Sequence, residues 1–272
     1  MRTRYRGSRD SLAAALLAAP LLGLALLAGG TAAAAQNPVS GGPRQLLIAY
    51  RAEPADRPAF RAYLAGHEAG LLRKLERQGV LSGYQILFNP FVQPRTWDAM
   101  TVLSFNRFTD TRRWLDIEQR SPGGLDAQGL RLAKPVSEYS ADLIWRGDAP
   151  DAGTTDGHIF YVIPYTYLTS VGEYRSYVDG YVVPQIEGWL KAGVLSRYRI
   201  YLNRYPVGDP EPWDALFVYE YHSLEDFGRR DEAIAAVRQT LRANPNWVKL
   251  SAGKSGLRTE SENTIAEALT GR

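Results

Sequence analysis

The sequence predicts an α+β protein made of two copies of one β-α-β-β-α-β unit, whose antiparallel sheets cover each other. Three observations carry that expectation. The first is an internal repeat. Gly79-Val80-Leu81-Ser82, Tyr84, Ile86, Asn89 and Trp97-Asp98-Ala99 return as Gly193-Val194-Leu195-Ser196, Tyr198, Ile200, Asn203 and Trp213-Asp214-Ala215. The offset is 114 residues as far as the asparagine and 116 at the Trp-Asp-Ala, which marks a two-residue insertion in the loop between them. The second is that both copies alternate between helical and extended apolar periodicity in the same order. The third is the absence of cysteine, which leaves the fold to rest on its apolar core and excludes disulfides, thiolate nucleophiles and thiolate metal sites.

Residues 1–35 stand apart from the repeats. Arg2, Arg4, Arg6 and Arg9 precede an Ala/Leu run over Leu12–Leu27, and Ala33-Ala34-Ala35 supplies small residues before Gln36. This pattern predicts a Sec-type signal peptide cleaved after Ala35, hence a periplasmic or secreted protein with no stable membrane span after cleavage. The competing expectation is an uncleaved anchor, because the run approaches membrane-spanning length. Residues 36–44 read as a linker. The whole chain carries 32 Lys+Arg and 29 Asp+Glu; the first 35 residues hold four Arg and one Asp, leaving 28 of each sign beyond them. A chain balanced in this way gives no electrostatic footprint for nucleic acid, and none is expected as a partner.

The elements follow in order. Leu46–Arg51 is a short apolar strand. Asp56 and Pro58 offer an N-cap and a first-turn proline, and Phe60, Leu64, His67, Leu71 and Leu75 then share one helix face up to Gly79. Tyr84–Asn89 alternates as a strand, Asn89-Pro90 and Pro94 turn the chain, and Trp97–Phe105 is the next strand. A helix is expected over Asp110–Glu118, a break at Ser121-Pro122-Gly123-Gly124, a strand over Glu138–Trp145 and a polar linker over Asp148–Gly157. The second copy runs through a strand at His158–Tyr167, a helix at Val171–Lys191, strands at Arg197–Asn203 and Trp213–Tyr221, a helix at Asp226–Ala243 and a last strand at Thr259–Leu269. The two repeats therefore span residues 45–147 and 158–272, joined by 148–157.

This element order is that of the ferredoxin-like fold, with helices on one face of a four-stranded sheet. The other face carries apolar and aromatic residues and has to be covered. Over residues 45–270 the chain resembles the dimeric α/β-barrel superfamily, with both halves fused into one intrachain barrel. No motif in it points to a subfamily. The alternative is two independent ferredoxin-like domains on a linker. The resemblance implies a ligand space bounded by the helix-free sheet face. It also implies two possible activities, small-molecule binding and cofactor-independent oxygenase or isomerase chemistry. The residues themselves imply no cofactor, but haem stays open because some tandem members of the superfamily bind it.

Candidate site residues come from strand parity. Tyr84/Tyr198, Ile86/Ile200 and Phe88/Leu202 form the more apolar set, expected against the helices. Gln85/Arg199, Leu87/Tyr201 and Asn89/Asn203 form the other set, expected between the sheets. Arg199, Tyr201, Asn203, Gln85 and Asn89 are accordingly the ligand-binding candidates. Glu220 is a weaker candidate acid or base, because it lies within an apolar strand; Arg199 or Arg197 is its expected partner. His67, aligned with Tyr181, reads as a packing residue, and His158 and His222 as strand-end residues. No histidine–carboxylate cluster is visible in the sequence, and no metal is expected. The eleven tyrosines from Tyr161 to Tyr221 suit either an aromatic ligand or an aromatic core. The leading expectation is non-catalytic binding of a small apolar or aromatic molecule, or of a protein partner. The alternatives are the enzyme above and a structural protein with a filled core.

Overall fold

The computed structural model describes residues 44–205 and 213–269, which lie within one compact unit. The leader and its expected cleavage site fall outside the described residues. The first repeat comprises β1 (Gln45–Ala52), α1 (Arg57–Tyr63), α2 (Ala69–Arg77), β2 (Gly83–Phe88), β3 (Ala99–Ser104), α3 (Thr111–Glu118), α4 (Ala127–Leu132) and β4 (Ala133–Asp148). The second comprises β5 (Ile159–Tyr167), α5 (Val171–Tyr177), α6 (Val183–Lys191), β6 (Leu195–Asn203), β7 (Ala215–Tyr221), α7 (Leu224–Gly228), α8 (Arg230–Leu241), α9 (Pro245–Gly253), β8 (Arg258–Glu260) and β9 (Thr264–Ala268).

All pairings are antiparallel, in the order β7-β6-β4-β1-β3-β2-β9-β5, and a further β5–β7 ladder closes the sheet on itself. Two ferredoxin-like sheets, β4-β1-β3-β2 and β9-β5-β7-β6, are thus joined edge to edge into one fused α/β barrel. Closure removes exposed sheet edges, which would otherwise template aggregation. The long strand β4 makes one seam: Ala133–Ala141 pairs with β1, and Ala141–Asp148 with β6. The second seam is short, pairing Leu87 with Ala268 and Phe88 with Glu267. The alternative of two separate domains is excluded by these shared ladders.

Strand parity sorts the side chains into three cores. Ile86 and Phe88 pack under the helices of the first repeat. Tyr198, Ile200 and Leu202 pack under those of the second. Leu87, Tyr201, Phe160, Trp213 and Val218 meet in the barrel lumen. The lumen between the sheets is therefore filled with side chains along its middle.

Four features depart from the sequence expectations. Both long helices carry a π-helical turn at the same repeat position, Leu64–Glu68 and Val178–Val182. The inserted residue turns the inner face, so that Glu68 and Leu72 are buried while His67, expected as a packing residue, is exposed; such turns recur at functional sites. The break after α3 continues into α4, capped by Asp126, whose carboxylate accepts from the Gln128 and Gly129 amides, so β4 starts earlier than Glu138. The helix expected over Asp226–Ala243 is divided at Gly228-Arg229 and followed by α9, whose first amides are held by Asn244. The final strand is split into β8 and β9, both on the edge of β5.

Candidate functional site

The Trp-Asp-Ala repeat builds the start of β3 and of β7. The Asp98 amide donates to the Tyr50 carbonyl while its carboxylate accepts from the Ala52 amide at 2.8 Å. The Asp214 amide donates to the Tyr165 carbonyl, and its carboxylate accepts from the Tyr167 amide at 3.1 Å. Both aspartates tie a hairpin to the neighbouring strand. Asn89 and Asn203 belong to the same machinery. The Asn89 side chain accepts from the Phe91 amide at 2.9 Å and donates to Gln93. Asn203 accepts from the Tyr205 amide and donates to the Trp213 carbonyl. Their short polar side chains organise the loops after β2 and β6, and neither is placed among the residues of the mouth described next. That result corrects the expectation of two further lining residues.

Gln85, Arg199 and Tyr201 do come together, at one end of the barrel. With Arg197, Glu220 and Phe160 they bound a cavity of about 310 Å³. Charges in this mouth are spent on one another. Glu220 Oε1 lies 2.5 Å from Arg197 Nη1 and 2.6 Å from His158 Nδ1. Asp148 Oδ1 lies 2.6 Å from Arg199 Nη2 and 3.2 Å from Arg197 Nε. The His222 ring packs edge-on to His158 at 5.5 Å. A histidine–carboxylate–arginine cluster therefore exists where none was visible in the sequence, because β5, β6 and β7 bring together residues far apart along the chain. Arg197, rather than Arg199, is the partner of Glu220. At the opposite end, Trp97, Trp213, Tyr139 and Met100 surround a second mouth of about 350 Å³, crossed by the Arg95–Glu262 ion pair.

A larger space lies outside the barrel, between the second sheet and its helices. It measures about 430 Å³, within the usual range of small-molecule pockets. Its sheet wall is Tyr161, Ile163 and Tyr165 on β5 with Tyr219 and Tyr221 on β7. Its helix wall includes Tyr181 at the π-turn, Trp189 on α6, and Ile234 and Arg238 on α8; Arg258 on β8 and Lys254 bound one end. Polar atoms around it lack partners. Trp189 Nε1, Arg258 Nη1 and the hydroxyls of Tyr174 and Tyr177 are buried without a hydrogen-bond partner. Such groups are costly in an apolar setting, and native proteins satisfy nearly all of them. Burial pushes the Tyr165, Tyr174 and Tyr219 phenols well up and Tyr177 up to about 12, so all four are neutral at physiological pH.

The corresponding space in the first repeat is closed. The Ser121–Asp126 segment fills it: Gly123 and Gly124, both at positive φ, pack against Tyr50 and Trp114 so closely that a Cβ on either would fall within about 3 Å of a neighbour. Glu68 is sealed beneath, with no solvent exposure and neither oxygen hydrogen-bonded.

Sequence reasoning missed Arg258, Trp189 and Tyr181 as a set. Tyr181 and Trp189 share the inner helix face, where periodicity reads them as core, and Arg258 lies in a segment without any motif. The nearest available signal was the asymmetry between the repeats, with tyrosine concentrated in the second. Haem does not fit this cavity as an imidazole-held group. Among the described residues no histidine lines it: His158 is bonded to Glu220, His222 packs on His158, and His67 Nε2 sits 3.1 Å from Asp126 in the first repeat. The described residues also hold no cluster of three or more metal-ligating groups and no helix long and apolar enough to cross a membrane.

No protein-family model matches the chain, and no curated protein matches it. Solved structures do. An anthrone oxidase-like protein superimposes with a TM-score of 0.50 at 9% identity, covering 84% of this chain and 91% of that one. A Lactobacillus acidophilus NCFM protein proposed to be a monooxygenase gives 0.48 at 11% identity over 85% of this chain and 97% of its own. A mutant chlorite dismutase of Candidatus Nitrospira defluvii, in complex with cyanide, gives 0.48 at 11% identity over 85% and 92%. Closed ladder and likeness agree on the architecture: the chain has the fold of the dimeric α/β-barrel superfamily, with both halves in a single polypeptide.

Proposed function

We propose that the protein binds a small, planar aromatic molecule between the second sheet and its helices, and that the barrel itself is the scaffold that holds this space open. The observation that carries the reading is the 430 Å³ cavity walled by tyrosine and tryptophan, with buried donors left unsatisfied around it. The barrel mouth at Arg199 and Tyr201 is the weaker choice, because its charges already neutralise each other. Export through the amino-terminal leader belongs to the same reading. Amino-terminal sequencing of the protein from its own cells tests that part, a start at Gln36 supporting it.

The binding test is a tryptophan-fluorescence titration with 2-naphthol. Saturable quenching is expected in the native protein. Ile234→Trp, which fills the cavity from a half-exposed position on α8, abolishes it. Arg199→Met at the barrel mouth leaves it unchanged. The opposite pattern of variants moves the site to the mouth.

A second reading is enzymatic. It draws on the fold likeness to an anthrone oxidase-like protein. In a cofactor-independent oxygenase the pocket holds an acidic aromatic substrate as its anion, which reacts with dioxygen. An activated CH2 becomes C=O, one oxygen atom enters the product and the other leaves as water. A cation beside a neutral aromatic wall stabilises such an anion. Dioxygen uptake with anthrone as probe, lost in Ile234→Trp, supports this reading, and uptake no faster than in buffer rejects it.

A further inference from the structure

Every buried cation in a folded chain needs a counter-charge or hydrogen bonds. Other arginines that lose solvent on folding have one. Arg57 is ion-paired with Asp98, Arg197 with Glu220 and Arg204 with Asp142. Arg258 has no ion-pair partner among the described residues, and its Nη1 is left without a hydrogen-bond partner. Its guanidinium carbon stands 3.8 Å from the centre of the Tyr165 ring and 5.4 Å from those of Tyr177 and Phe217. Aromatic faces recover only part of a cation's lost hydration, well short of what an anion supplies. Tyr174 lies close to it, but Arg258 Nη1 and the Tyr174 hydroxyl are both left without a hydrogen-bond partner. The surrounding wall is also unbalanced. Arg230, Arg238, Lys254 and Arg258 face it against Asp231 and Glu260. Of those two acids, Asp231 sits 3.7 Å from Arg230, and Glu260 accepts from the Tyr165 hydroxyl and the Asn263 amide.

We infer that the ligand is an aromatic acid, its ring lying among the tyrosines of β5 and β7 and its carboxylate received by Arg258. This rests on the cavity being the ligand site, and adds the charge of the occupant. Arg258 is well suited to the task. It stays protonated at every physiological pH, and its planar fork can meet both oxygens of a carboxylate. Stacking on Tyr165 fixes the plane of that fork before the ligand arrives, so little ordering remains to be done on binding. Ring and carboxylate are read by separate groups, so each can be removed alone.

The experiment compares 2-naphthoate with 2-naphthamide, equal in shape and different in charge, by fluorescence titration of the native protein and of Arg258→Met. The native protein is expected to bind naphthoate at least tenfold more tightly than naphthamide, and to lose that preference as salt is raised. Arg258→Met is expected to weaken naphthoate by tenfold or more and leave naphthamide within about twofold. Near-ultraviolet circular dichroism checks that the variant is folded; if it is not, the acid-to-amide ratio in the native protein decides the matter alone. Equal affinity for both probes overturns the anionic assignment and leaves the aromatic site standing. Absence of binding by either overturns both.

Discussion

Asp98→Asn is expected to lower the free energy of unfolding by about 3–5 kcal/mol, whereas Asp214→Asn, at the equivalent position of the second repeat, costs about 1 kcal/mol. Both aspartates accept a backbone amide from the neighbouring strand. Only Asp98 also neutralises a buried arginine: Arg57 is ion-paired to it and donates besides to the carbonyls of Asn89 and Phe91. The residue that matches Arg57 in the second repeat is Val171. An amide at position 98 therefore strands a buried guanidinium, while an amide at 214 weakens one hydrogen bond. Urea unfolding of the two variants side by side checks this, and equal losses would show that the ion pair contributes nothing beyond the hairpin anchor.

The second large effect is a pH dependence located in the first repeat. Burial, and then the nearby Asp126 carboxylate, push the Glu68 carboxyl up to about 8 from its ordinary 4.5. The groups facing it are Tyr50 on β1, Tyr63 on α1, Trp114 on α3, and Gly124 and Asp126 on the closing segment. The folded state thus holds a proton that the unfolded chain releases. Its stabilising effect is complete below about pH 4.5 and is lost as pH rises towards 8, at about 1.4 kcal/mol per pH unit between those limits. Glu138, raised to about 7 by burial and then by Glu118, acts in the same direction. Glu68→Met removes one of the two contributions and fills the same space with an apolar chain. Relative to the native protein it is expected to gain roughly 3–4 kcal/mol in stability on going from pH 5 to pH 8. Parallel stability curves for the two proteins would contradict the assignment.

The repeats share their hairpin anchors and differ in what lies between sheet and helices. The chain conserves between its halves what the hairpins need, the glycine after the long helix, the asparagine and the Trp-Asp-Ala, and these were legible because they recur as residue types. The barrel was legible for a related reason: strand parity left one face of each sheet apolar with no helix to cover it. The π-turns were not legible, because one inserted residue inside a continuous helix changes direction without changing composition. Nor was the division of the last helix and strand, since α9 and β8 depend on Asn244 and on a place at the β5 edge. Parity led correctly to Gln85, Arg199 and Tyr201 as neighbours, and it carried Asn89 and Asn203 along although loop hydrogen bonds claim them. It could not reach the sheet–helix cavity at all. That space is bounded by residues whose apolar spacing marks them as core, and no described segment of the second repeat plays the part that Gly123 and Gly124 play in the first. Arg258 is recognisable only once three aromatic rings have gathered beneath it.

Receipt of a ligand by the second sheet–helix space is the central proposal for this protein. Its most direct test is a crystal structure of the protein grown with 2-naphthoate. Density is expected for the naphthyl ring between Tyr165, Tyr219 and Trp189, with its carboxylate on Arg258. Density at the Arg199–Tyr201 mouth instead, or an unchanged cavity at saturating concentration, would contradict it.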